Sequence, residues 1–145
     1  RKRILLVPVA ANGTHFTSWS PGDDRYKATV LATNDAMLTN PWNTLSAFLW
    51  NQGESSAANF DLVYKENFLT MIAGYQSEIT GFKNDLPIIF AEVAGNKFDQ
   101  YISSLETGSI KMKQFVNAKF VELETENSNM YLVRTLGKYH LTVDD

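Results

Sequence analysis

The chain has 145 residues, 44% of them hydrophobic and 20% charged, with a net charge of −3 and a pI near 5.4. This length and balance predict one globular domain with a core of its own, and the acidic character argues against a general nucleic-acid surface. Cysteine is absent, which excludes a disulfide framework and a thiolate metal site, and no run approaches the ~18 apolar residues of a membrane span.

The basic Arg1-Lys2-Arg3 reads as a solvated strand edge or a segment boundary. Ile4-Leu5-Leu6-Val7-Pro8-Val9-Ala10 follows without alternation, the pattern of a strand buried on both faces. Ala11-Asn12-Gly13-Thr14 is a turn cluster. From Pro21 to Leu38 the apolar spacing predicts a helix, broken by Thr39-Asn40-Pro41-Trp42-Asn43. Leu45 to Trp50 predicts the second strand, which stops in the polar turn Asn51-Gln52-Gly53-Glu54.

Phe60, Val63, Tyr64, Phe68, Met71, Ile72, Tyr75 and Ile79 predict a second helix with one apolar face. Leu86 to Val93 predicts a third strand, Ile102 to Val116 a helix interrupted near Thr107-Gly108, and Ala118 to Leu123 a fourth strand. Met130-Tyr131-Leu132-Val133 fits either type, and Thr135 to His140 reads as a loop. Alternation of strand and helix predicts an α/β sheet with helices on both faces and all strand carboxyl ends on one edge. Gly13, Gln52-Gly53-Glu54 and Glu92 to Asn96 then share that edge, where open α/β sheets hold ligands. Thr142-Val143-Asp144-Asp145 resembles a helix start, so both ends suggest a piece of a longer polypeptide.

The blocks Val9-Ala10-Ala11-Asn12-Gly13-Thr14, Trp50-Asn51-Gln52-Gly53-Glu54-Ser55, the Tyr64-bearing helix, Leu86-Pro87-Ile88 and Tyr139-His140-Leu141-Thr142 come in a telling order. Together they resemble the sialate O-acetylesterase-like group of the SGNH hydrolases, which includes carbohydrate esterase family six. The Trp-x-Gln-Gly-Glu turn after an apolar strand is the specific part, and the resemblance covers most of the chain. It implies a three-layer α/β sandwich with a mainly parallel sheet, of SGNH-hydrolase (flavodoxin-like) type and lacking its N-terminal strand. Residues 1–145 are then a single domain truncated at both ends.

The implied activity is serine-type hydrolysis of O-acetyl esters on carbohydrate, with no cofactor, metal, nucleic acid or membrane. His140 matches the family's base. Gly13, through its N–H, and Gln52, through its side-chain amide, match the oxyanion donors. Asn12, Gly53 and Glu54 are supporting residues of those two turns. The partners are an acetylated carbohydrate and the remainder of a longer polypeptide, and the family favours a secreted, periplasmic or virion-associated protein.

Three departures stand beside the match. The Gly-x-Ser block that carries the family's nucleophile is not among these residues, and Gly137 stands where a carboxylate three residues before the histidine is usual. Asn12 replaces the first glycine of a pair, although asparagine tolerates positive φ. The rival reading is a non-catalytic glycan-binding or structural domain of a larger assembly such as a phage tail protein. Single residues have plainer readings too. Trp19 and Trp42 could stack on sugars or cover core edges, His15 reads as a loop residue, and Glu122, Glu124 and Glu126 as a solvated strand face.

Overall fold

In the computed structural model the described residues are 3–58, 62–93 and 107–134, with 57–58 and 107–114 described by their backbone only. A 3-10 turn, Phe16–Trp19, precedes helix α1, Asp24–Leu38. Strand β1 is Phe48–Trp50, and the short helix α2 is Glu54–Ala58. Helix α3, Tyr64–Glu78, leads to strand β2, Ile88–Ala91. Helix α4, Thr107–Glu126, leads to strand β3, Met130–Val133. The three strands form a parallel sheet in the order β1-β2-β3.

Strand geometry points alternate side chains to opposite faces, and the register lines up two core rows. Phe48 pairs with Ile88 and Ile88 with Met130; Trp50 pairs with Phe90 and Phe90 with Leu132. These six face the helices. Phe68 of α3 meets Phe90 edge-on at 6.0 Å between ring centroids, and Phe120 of α4 meets it at 5.0 Å. Tyr75 of α3 meets Phe48 at 5.5 Å. The intervening row is less protected: Leu49 is 61% exposed and Tyr131 49%.

Helix α3 follows its sequence pattern from Tyr64 on, while Val63 precedes it and is 54% exposed and Phe60 lies outside the described residues. Tyr64, Phe68, Met71, Ile72 and Tyr75 are buried on one stripe. The chain leaves it in an extended conformation at Ile79 and turns at Gly81, whose φ of 83° suits glycine.

Two expectations about elements are corrected. The apolar run Ile4 to Ala10 forms no strand, and Ile4 and Leu6 are 88% and 71% exposed. Apolar composition raises the tendency to pair, but a strand exists only beside another strand, and none flanks this run among the described residues. The fourth strand expected at Ala118 to Leu123 is instead the body of α4, and the strand lies at Met130–Val133. The buried residues Val116, Phe120 and Leu123 recur at helical spacing, four and then three apart. The β-branched and aromatic content of the segment suggested a strand, and packing against α2 and α3 decided otherwise. Of the helix expected at 102–116, residues 102–106 lie outside the described residues.

The acidic run changes meaning with this correction. On a helix Glu122 and Glu126 share a face, and both bind Lys65 of α3, at 3.1 and 2.7 Å. Glu124 points elsewhere: it accepts from the Leu132 N–H at 3.0 Å and pairs with Arg134 at 2.6 Å. The Arg134 guanidinium, and after it the Leu132 N–H, hold the Glu124 carboxyl below the usual carboxylate range. A carboxyl depressed on folding contributes stability above its ordinary range, and that contribution is lost as pH falls through the depressed value. Replacing Glu124 by Gln should therefore shrink the stability difference between ~pH 6 and ~pH 3, measured by urea unfolding at both. An unchanged difference would show that the carboxylate is not coupled to folding.

Candidate active site

Parallel strands aim their carboxyl ends at one sheet edge, where such folds carry their chemistry. Asn51, Gln52 and Gly53 leave β1 there, and Glu92 leaves β2 level with the end of β3, its N–H donating to the Val133 carbonyl at 3.1 Å. A hollow lined by Met37, Asn43, Leu45, Ser46, Lys83 and Asp85 sits at the opposite, amino-terminal end of β1 and β2. Of the sequence blocks it touches Leu86-Pro87 alone, and neither the Gly13 turn nor the Gln52 turn lines it.

Gln52 is the centre of a buried polar network and is itself 8% exposed. Its Nε2 donates to Ser56 Oγ at 3.2 Å and, over a longer 3.4 Å, to the Thr14 carbonyl. The Tyr64 hydroxyl donates toward Gln52, lying 2.8 Å from its main-chain oxygen and 3.0 Å from its Oε1. The Trp50 indole N–H in turn donates to Tyr64 Oη at 3.1 Å. Burial in this setting is tolerable because each polar atom has a partner.

The Thr14 contact joins the two turns of the sequence motif. Thr14 Oγ1 donates to the Ala11 carbonyl at 3.1 Å and accepts from the Trp19 indole N–H at 3.1 Å. Trp19 packs edge-on against Trp50 with centroids 5.3 Å apart, and Phe16 meets both Trp50 and Tyr64. The glycine turn is thereby fixed to the end of β1 by rings as well as hydrogen bonds. Gly13 has a φ of 67°, the left-handed region, and a Cβ there would meet no atom within 4 Å. The turn needs glycine for its backbone, and it leaves open space beside that backbone.

Gly53 serves a different need. A Cβ on it would lie 2.4 Å from Val93 Cγ2 and 3.1 Å from Val116 Cγ1, and its φ is 154°. Val93 is clamped by the Asn117 side chain, which accepts from its N–H at 2.8 Å and donates to its carbonyl at 3.2 Å. Glu54 opens α2 as its first-turn acid and is exposed, which fits a helix-start role. Asn12 is exposed in the glycine turn.

The structure thus brings Gln52 against the turn that carries Gly13. His140 and Gly137 lie outside the described residues. Ser56 is fully buried on α2, and Ser18 lines a shallow hollow with Thr14, Asp23 and Arg25. Trp19, at 6% exposure, is a core ring rather than a sugar platform, and Trp42 stands in the turn before β1, away from this edge. His15 caps the 3-10 turn, its Nδ1 accepting from the Thr17 N–H. Among the described residues no group of three His, Asp or Glu is placed to hold a metal, and no helix is long and apolar enough to cross a membrane.

The hydroxyl of Tyr64, the indole N–H of Trp50 and the side chain of Asn117 are site features that the sequence pattern did not reveal. Trp50 and Tyr64 entered the sequence reading as members of motif blocks and apolar runs, and neither carries information about where an N–H or a hydroxyl points.

Comparison with known proteins speaks to the fold and the family. No curated protein matches the chain. An X-ray structure of an Arabidopsis thaliana protein matches 88% of it at 23% identity with a TM-score of 0.64, a likeness of fold. The chain spans 46% of that protein's length. A family model described as carbohydrate esterase, sialic acid-specific acetylesterase, matches residues 1–141. That match runs through both turns of the edge just described and almost the whole sequence, and the chain belongs to this carbohydrate esterase family.

Proposed function

We propose that this chain forms the oxyanion side of a serine-type carbohydrate O-acetylesterase. The observation that carries the reading is the buried Gln52 carboxamide at the carboxyl end of β1, held against the Gly13-Thr14 turn. In this reading a serine from a Gly-x-Ser turn outside these 145 residues attacks the acetyl carbonyl carbon. His140 takes the serine proton, and the carbonyl π pair moves onto oxygen. That oxygen accepts from the Gly13 N–H and from Gln52 Nε2, which gives up its long 3.4 Å contact to the Thr14 carbonyl to meet it. Collapse breaks the bond to the sugar oxygen, which His140 protonates. Water, deprotonated by His140, then releases acetate and restores the serine.

Amide donors suit this step because the charge they meet exists only in the transition state and the intermediate. A donor already buried and oriented needs little reorganisation when that charge develops. In the full-length protein His140→Ala should lower hydrolysis of an aryl acetate by about 10³-fold or more, read by steady-state kinetics. Unchanged hydrolysis would remove His140 from the mechanism.

Gly137 favours the rival reading, since no carboxylate stands three residues before His140 to orient it. A non-catalytic glycan-binding or structural domain would hold an acetylated glycan without releasing acetate. Binding measured together with acetate release from the full-length protein separates the two.

A further inference from the structure

We infer that Tyr64 is a positioning residue that fixes which end of the Gln52 carboxamide faces the oxyanion site. This inference rests on the proposed oxyanion role of Gln52.

A carboxamide has two nearly isosteric ends, and only its nitrogen can donate. A glutamine at an oxyanion site is useful only in one of its two orientations. Here two neighbours of fixed character make that choice. The Thr14 carbonyl, 3.4 Å from the nearer end, can only accept, so that end must be the nitrogen. The Tyr64 hydroxyl sits 3.0 Å from the other end, which must therefore be Oε1 if the hydroxyl donates.

Trp50 takes up one acceptor position of the hydroxyl, its Nε1–H pointing at the oxygen from 3.1 Å, which favours donation from the hydroxyl toward Gln52. Two oxygens of Gln52 lie within reach of the hydroxyl proton and share it, the main-chain oxygen at 2.8 Å and Oε1 at 3.0 Å. Flipping the carboxamide would set its oxygen against the Thr14 carbonyl and its N–H groups against the proton of a hydroxyl that donates toward Gln52. Ser56 Oγ, 3.2 Å from Nε2, can donate or accept and does not discriminate. The direction of the amide is thus set through the chain Trp50, Tyr64, Gln52.

The ring of Tyr64 has a separate task. It is fully buried and meets Phe16 and Phe120 edge-on at 5.2 and 5.5 Å. Tyr64→Phe keeps those contacts and removes only the hydroxyl. In the full-length protein it should lower kcat for an aryl acetate about tenfold with KM nearly unchanged, as expected for losing one buried hydrogen bond that acts on the transition state. Placed on Gln52→Ala, the same change should have no further effect on kcat, because there is no amide left to orient. The Gln52 side-chain NH₂ resonances should also exchange faster with solvent in Tyr64→Phe.

Trp50→Phe is a second variant should Tyr64→Phe fold poorly. It frees the acceptor side of the hydroxyl and should lower kcat in the same direction by a smaller factor. If Gln52→Ala lowers kcat and neither ring variant does, the positioning role of Tyr64 is overturned and the oxyanion reading stands. If Gln52→Ala itself leaves kcat unchanged, the oxyanion reading has failed first. An equal further loss of kcat from Tyr64→Phe on the Gln52→Ala background would make Tyr64 structural only.

Discussion

Gln52→Ala is expected to cut kcat for acetyl-ester hydrolysis by about 10²–10³-fold in the full-length protein, with KM little changed. The factor corresponds to about 3–4 kcal/mol of transition-state stabilisation, the cost of removing one oriented oxyanion donor. The expectation is this large because the donor is 8% exposed and set by Thr14 and Tyr64 before substrate arrives. A surface amide would have to give up water and freeze its rotation first, and would contribute far less. Gln52→Glu gives a sharper contrast at nearly the same volume. It replaces the donating end with an acceptor facing the Thr14 carbonyl and a developing negative charge, so its loss should be at least as great. Steady-state hydrolysis of an aryl acetate, beside a circular dichroism spectrum of each variant, checks both. A Gln52→Ala protein with wild-type kcat would remove the amide from the mechanism.

Gly53→Ala is expected to lose about 2–4 kcal/mol of stability, a large share of the 5–15 kcal/mol that holds a typical domain together. Two costs combine. The new Cβ would lie 2.4 Å from Val93 Cγ2, and the φ of 154° is one that side chains other than hydrogen rarely adopt. Retreat is blocked on both sides. Asn117 holds both main-chain polar groups of Val93, and Val116 is fully buried behind it. Urea unfolding measures the loss. Val93→Ala added to Gly53→Ala should restore the steric part and leave the backbone part, so the double variant should be more stable than the sum of the singles implies. A loss under ~0.5 kcal/mol for Gly53→Ala would mean that the turn relaxes freely, contrary to the packing. Since Gly53 adjoins Gln52, the same variant should also impair hydrolysis, through displacement of the amide.

These two neighbours divide the motif by function. In the proposed function Gln52 supplies the chemistry, and Gly53 lets β1 end close to Val93, where a Cβ would not fit. Asn117, far along the chain on α4, is joined to the turn through Val93. Asn117→Ala is therefore expected to act on the turn through Val93.

The sequence by itself determined the α/β class, the approximate places of α1, α3, β1 and β2, and the edge on which the polar turns meet. These follow from local patterns: apolar stripes at helical spacing in Tyr64, Phe68, Met71, Ile72 and Tyr75, and strands that stop in Gln-Gly-Glu and Glu-Val. The ordered blocks also carried the family. Tertiary structure alone decided that Ala118 to Leu123 is helical, because its apolar residues fit either period until α2 and α3 claim one face. It alone decided that Ile4 to Val7 pairs with no strand among the described residues, since pairing depends on a neighbour that composition does not specify. The direction of the Gln52 amide is of the same kind. It depends on a hydroxyl 12 positions away and a carbonyl 38 positions away, and hydrogen-bond direction is a property of assembled geometry, not of residue order.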